Sequence, residues 1–207
     1  MSDPAITIGG ASYWLQSQPR PWSYMAKDVR RYEVRQGDKW PGDATPGASR
    51  TEACGQSRVP LTQTWSVSYD MLIETGLPQK DDIHCLIGQF HHDLSVGPPP
   101  LYLCLDAEHL TVVSGGFANG QNTFATLWRD PNPVVRGVWH SLLWVAKFDL
   151  VSGLAQLSID GSQVLNYSGP LAVRGQTSTY WKEGIYRYDP NVNPLAVNYA
   201  NLVVSTS

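Results

Sequence analysis

Three short stretches combine residue types that move protons and hold anions. The longest is Tyr180-Trp181-Lys182-Glu183-Gly184-Ile185-Tyr186-Arg187-Tyr188. Read as a β-strand, it alternates between two faces. Tyr180, Lys182, Gly184, Tyr186 and Tyr188 then share one side, and Trp181, Glu183, Ile185 and Arg187 the other. A face with one ammonium, three phenols and a central glycine is unlike a core. It suits the floor of a groove where a polar ligand nears the backbone, and it equally describes a solvated sheet surface. Gln89-Phe90-His91 is the second stretch. Alternation projects Gln89 and His91 side by side, ~7 Å apart along a strand, either as a site or as a structural histidine beside an amide. Arg50-Thr51-Glu52, with Arg50, Glu52 and Cys54 on one side of a short strand, is the third.

The elements that must carry these residues are strands. Alternation or apolar runs bounded by turn residues mark 29–36, 50–55, 62–74, 83–92, 101–106, 110–114, 123–128, 138–149, 154–159, 163–166, 180–188 and 195–204. Residues 1–28 add an edge strand and loops. Pro98-Pro99-Pro100 separates two strands. Gly115-Gly116 and Asn119-Gly120 read as turns, and Asp160-Gly161 as a hairpin loop. No amphipathic helix, internal repeat or linker interrupts the series. Residues 1–207 are therefore expected to form a single all-β domain, a two-sheet β-sandwich or jelly roll.

Composition narrows the function classes. Only 16% of residues are charged, so neither a basic stripe for nucleic acid nor a membrane-binding patch is present. The Arg30, Arg31, Arg35, Lys39 and Arg50 cluster still suits an anionic ligand. No apolar run reaches 18 residues, so no membrane span is expected. No glycine-rich phosphate loop occurs. Cys54, Cys85 and Cys104 contain no CxxC pair, which argues against a zinc site and leaves one disulfide plus a thiol, or buried thiols, open. Met1-Ser2-Asp3-Pro4 lacks the basic and apolar regions of a signal peptide.

In this order, Arg50-Thr51-Glu52, Gln89-Phe90-His91 and Tyr180-Trp181-Lys182-x-Gly184-x-Tyr186 resemble the three motif regions of jelly-roll polysaccharide lyases. These are the alginate lyases with R-x-E-L, Q-I-H and Y-F-K-x-G-x-Y signatures and the related heparin lyase I and glucuronan lyase families. Arg31-Tyr32-Glu33-Val34-Arg35-x-Gly37-Asp38 and the run Trp139-His140, Lys147-Phe148-Asp149 and Ile159-Asp160-Gly161 strengthen the likeness to the heparin-lyase-like group. The resemblance spans most of 29–188. Ala53, Phe90 and Trp181 depart from the alginate-type residues but leave the polar positions intact.

The resemblance implies a concanavalin A-like jelly roll with a concave groove and β-elimination on a uronic-acid polymer. The reaction removes the C5 proton and expels the glycosidic oxygen at C4. Arg50 and Gln89 would neutralise the C5 carboxylate and stabilise developing charge. His91 suits the base, because its ordinary pKa is near neutral. Tyr186 suits the donor to the leaving oxygen, with Lys182 as its electrostatic neighbour; in these families the tyrosine also serves as base for one epimer. Lys182, Arg35, Arg31 and Glu52 are candidate substrate contacts, Arg31 and Arg35 alternatively forming a surface ladder. Tyr180, Tyr188 and Trp40 are candidate sugar contacts. His92 reads as structural, His84 shares its face, and His140 reads as a core histidine.

No metal or cofactor is required by this chemistry, although a structural Ca²⁺ on loop carboxylates is compatible with such a sandwich. The expected partner is an anionic polysaccharide met by a monomer, without nucleic acid or membrane. The resemblance implies a secreted or periplasmic protein. A glycosidase would need two carboxylates flanking the bond, and its E-x-D-x-x-E pattern is absent. A non-catalytic carbohydrate-binding module or lectin on the same fold is the alternative. Loops 37–49, 93–100 and 115–122 are the expected source of substrate-selecting contacts.

Overall fold

The computed structural model describes residues 3–18, 24–25, 28–44, 46–80, 83–94, 97–188 and 193–207. Its described residues form sixteen strands and no helix. Two antiparallel sheets stack as a jelly-roll sandwich. The first runs in the order β1 (Ala5–Ile8), β2 (Ala11–Ser17), β5 (Ala48–Gly55), β15 (Ser178–Tyr188), β8 (Leu86–His92), β9 (Leu101–Asp106), β10 (His109–Ala118) and β11 (Gln121–Arg129), with β6 (Val59–Pro60) also paired to β15. The second runs β14 (Ser162–Gly169), β13 (Gly153–Ile159), β12 (Trp139–Lys147), β7 (Thr64–Ile73), β16 (Leu195–Thr206), β4 (Val29–Val34) and β3 (Tyr24–Met25).

Period-two patterning builds the core between them. Strand β7 buries Trp65, Val67, Tyr69, Met71 and Ile73 and leaves the residues between half-exposed. From the facing sheet, Trp181 and Ile185 of β15 and Phe90 of β8 enter the same cluster. The Phe90 ring packs against Trp65, Trp144, Phe148 and Trp181 at centroid distances of 4.9–6.0 Å, an aromatic knot that fixes β8 and β15 from beneath. Trp181 is thus a core anchor rather than a sugar platform.

Two irregularities adjust the outer face of the first sheet. Between Lys182 and Tyr186, β15 carries one residue more than β8, with Gly184 at φ +118°. A Cβ there would lie 2.4 Å from the Thr51 carbonyl oxygen, so only glycine fits. A second bulge between Leu86 and Gly88 offsets β8 from β9. It reverses the parity of the residues before it. Ile87 and Cys85 join the core while Leu86 faces outward with Tyr102, Cys104 and Val113.

That second bulge corrects the expectation for His84, which precedes β8 and lies on the outer side with Tyr188, not on the His92 side. Gly115-Gly116 is also not a turn. It lies within β10, where a Gly115 Cβ would stand 2.3 Å from the Pro99 carbonyl oxygen, so Gly115 lets the proline segment pack onto the strand. The turn is at Asn119-Gly120, both at positive φ. His140 is not in the core: it is half-buried and its Nδ1 lies 2.7 Å from Asp160 Oδ2. All three cysteines are buried free thiols.

Candidate active site

The outer face of the first sheet holds a cleft of about 550 Å³. Arg50 of β5, Gln89 and His91 of β8, and Tyr186 and Tyr188 of β15 line it, with Leu86 and Tyr102 in its floor. Asp43, Leu94 and Gly97-Pro98-Pro99 close one part of the rim, and His84, Asn122 and Phe124 another. The register explains the convergence. Tyr186 pairs with Arg50 across β5, and Lys182 with Gln89 across β8. Residues 136 and 93 positions apart in sequence thereby become neighbours on one pleat.

Beneath the cleft lies a buried polar network centred on Glu52, which has no exposed surface. Its Oε2 is 2.7 Å from Lys182 Nζ and 2.9 Å from Arg50 Nη1, and its Oε1 accepts from the Gln89 amide. Burial alone would raise the Glu52 carboxyl, but the charges of Lys182 and Arg50 outweigh it and hold the group below its ordinary value. One carboxylate therefore orients the guanidinium, the amide and the ammonium at once. Gln89 retains a second amide hydrogen for a ligand.

Arg50 is gripped from the other side as well. Asp43 takes its Nη2 at 2.7 Å and its Nε at 3.1 Å, and Gln16 Oε1 lies 3.2 Å from Nη1. Its guanidinium carbon stands 4.0 Å from the Tyr186 ring centroid, a cation–π contact. Burial pushes the Tyr186 phenol well above its ordinary pKa, the hydrogen bond to Tyr188 adds to this, and Arg50 opposes it. The resting group is a neutral phenol.

His91 stacks on Tyr180, with centroids 5.5 Å apart and planes 20° apart. Its Nδ1 is 2.9 Å from the His92 backbone nitrogen and 3.1 Å from the His92 carbonyl oxygen, which leaves Nε2 to meet a ligand. Burial, then the charge of Lys182 and the neighbouring His92, lower its pKa to about 3. The ring is neutral at ordinary pH. His92 itself is buried on the opposite face of the strand.

Of the other candidates, Arg31 and Arg35 do not reach the cleft. They belong to the β4 side of the second sheet, where Tyr32 and Val34 point inward and Arg31, Glu33 and Arg35 outward. Arg31 pairs with Glu33 and Glu74, and Arg35 with Glu33, so they form the surface ladder. Glu52 and Lys182 are buried beneath the cleft and pair with one another instead of facing it. Trp40 sits beside Arg50 with its indole N–H donating to Asp3 and does not line the cavity. Tyr180 supports His91 and carries Arg58 over its ring at 3.7 Å. Asp43, His84, Asn122 and Phe124 were not singled out as site residues by sequence. Loops 37–49 and 115–122 were the signals for Asp43 and Asn122, but His84 and Phe124 depend on a bulge and on strand pairing. Among the described residues no three His, Cys, Asp or Glu side chains group as metal ligands.

The fold has many solved relatives. Alginate lyase A1-II′ of family 7, solved with its product, matches at TM-score 0.67 and 14% identity over 90% of this chain and 84% of that one. Alginate lyase PA1167 from Pseudomonas aeruginosa matches at TM-score 0.64 and 18% identity over 94% and 98%. The alginate lyase from Klebsiella pneumoniae matches at TM-score 0.64 and 9% identity over 92% and 86%. No curated protein matches in sequence. The polysaccharide lyase family model, however, matches residues 17–202, and the chain belongs to that family of lyases acting on polysaccharides.

Proposed function

We propose that this lyase cleaves an unsulfated uronic-acid polymer by β-elimination. The observation that carries the reading is the convergence of a guanidinium, a carboxamide, a neutral imidazole and a neutral phenol on one cleft. Gln89 and Arg50 receive the C5 carboxylate, lowering the cost of charge that develops as the C5 proton leaves. His91, neutral by virtue of its depressed pKa, accepts that proton at Nε2 in the tautomer whose Nδ1–H is donated to the His92 carbonyl, which replaces the one whose Nδ1 accepts from the His92 N–H. The C5–H electron pair becomes the C4=C5 bond, and the C4–O pair departs with the oxygen. Tyr186, a phenol at rest, supplies the proton to that oxygen. Each proton transfer contributes on the order of 10²–10⁴ in rate.

The charge of the cleft supports the substrate class. Arg50 is the one Lys or Arg among the described lining residues, and Asp43 and Glu52 already pair with it. A sulfated chain brings several anions per disaccharide and would need more cations than this wall offers. Alginate and polyglucuronate bring one carboxylate per sugar. The test is ultraviolet absorbance of the unsaturated product on mixing with alginate, polyglucuronate and heparin. A rise with at least one of the first two, and none with heparin, is expected. Binding without any absorbance change would instead favour a non-catalytic carbohydrate-binding protein.

A further inference from the structure

The Tyr186 hydroxyl does not stand alone in the cleft. It lies 2.8 Å from the hydroxyl of Tyr188 and donates to it. The two residues are separated by one position on β15, so alternation puts both rings on the same side, with centroids 5.2 Å apart. Tyr188 is held in turn by His84, edge-on at 5.4 Å, and His84 by Phe124, edge-on at 5.1 Å. This row of rings forms a fixed wall of the cleft, and its polar contact is made at the atom the reaction uses.

We propose that Tyr188 is a positioning residue for Tyr186 and its proton-exchange partner, linking the Tyr186 oxygen to solvent. The proposal rests on the β-elimination reading above. When Tyr186 protonates the leaving oxygen, its O–H bond breaks and the electron pair stays behind as a phenolate. That phenolate lies beneath the Arg50 guanidinium, and Tyr188 turns from acceptor to donor toward it. The Tyr188 proton passes to Tyr186, and water reprotonates Tyr188. The hydroxide so formed is neutralised by the C5 proton that His91 sheds, which its low pKa favours. Protons balance over the cycle, and no co-reactant beyond water is needed.

The test is Tyr188→Phe, which keeps the ring against His84 and removes only the oxygen. Expected is a fall in kcat on the order of tenfold or more, with KM within about threefold and a displaced basic limb in the pH profile. Activity of this variant should climb with imidazole buffer concentration at fixed pH and ionic strength, while the wild type stays flat. A variant with wild-type kcat and pH profile, or one whose loss no buffer restores, overturns the relay. Should the variant not fold, the wild type decides. A bowed dependence of kcat on deuterium fraction in mixed light and heavy water is expected, and a linear or absent one overturns the relay. A wild type inactive on every uronate polymer overturns the lyase reading and the relay with it; an active wild type confines any failure to the relay.

Discussion

Asp43 grips Arg50 with both carboxylate oxygens, Oδ1 2.7 Å from Nη2 and Oδ2 3.1 Å from Nε. This is the forked geometry in which a guanidinium receives an anion, so the chain's own carboxylate holds the seat a uronate carboxylate would take. The charges nearby, Arg50 and Lys182 against Asp43 and Glu52, cancel. A further anion in this partly desolvated place would be uncompensated. Substrate is therefore expected to enter by displacing Asp43.

The consequence is measurable in steady-state kinetics. Asp43→Asn should lower KM for a uronate polymer by about three- to tenfold, a gain of about 1 kcal/mol in binding, with kcat changed less. A rise in KM would mean that Asp43 serves to aim Arg50, not to compete for it.

Glu52 is the residue whose loss should cost stability most among the polar set. Glu52→Gln leaves Lys182 and Arg50 as like charges below the cleft without their shared anion. Removing one member of a buried ion pair costs about 3–5 kcal/mol, to be read from chemical denaturation. Activity should fall as well, because the same carboxylate orients Gln89 and Arg50. A variant with unchanged denaturation midpoint would show the network to be redundant.

The pH dependence of His91 has a definite sign. An unfolded imidazole titrates near ~6.5 and the folded one at about 3. Between these values the unfolded chain binds the extra proton, so His91 makes stability fall as pH drops through that window. On the proposed mechanism the same depression keeps His91 unprotonated, so the acidic limb of kcat/KM should lie at about pH 3. A limb centred near 6.5 would place the titrating base elsewhere.

Much of this site was legible because alternation survives where strands are regular. Tyr186, Lys182, Trp181 and Ile185 sorted to their proper faces, since the extra residue at Gly184 is accommodated against β8 while pairing with β5 stays in step. His84 was misassigned because the bulge at Leu86–Gly88 reverses parity and leaves no clear trace in the apolar pattern. The roles of Lys182 and Glu52 were also misread. Two opposite charges on one face look like ligand contacts until depth is known, and depth comes from neighbouring strands. Arg31 and Arg35 were drawn toward the groove by their charge, although the paired Glu33 between them already pointed to a ladder.

Tyr186→Phe tests the central residue directly. It removes the proposed proton donor while the ring stays under Arg50 and beside Tyr188. Elimination should fall by at least about 10²-fold, with polymer affinity, measured by calorimetry, within about twofold of the wild type. Full activity in this variant would remove Tyr186 from the chemistry.

Gly184 joins the fold to the site, and its replacement should damage both. At φ +118° a side chain is strained, and a Cβ would press on the Thr51 carbonyl oxygen and stand 2.7 Å from the Glu52 Cα. The strain alone costs on the order of 1–3 kcal/mol, and relief requires β5 and β15 to move apart where Tyr186 faces Arg50 and Gly184 faces Glu52. Gly184→Ala should therefore lower thermal stability and also reduce kcat in the fraction that folds, because the Arg50–Tyr186 stacking distance and the Glu52 network shift together. A variant that loses stability but keeps full kcat would show that the cleft tolerates this displacement and that the bulge serves folding alone.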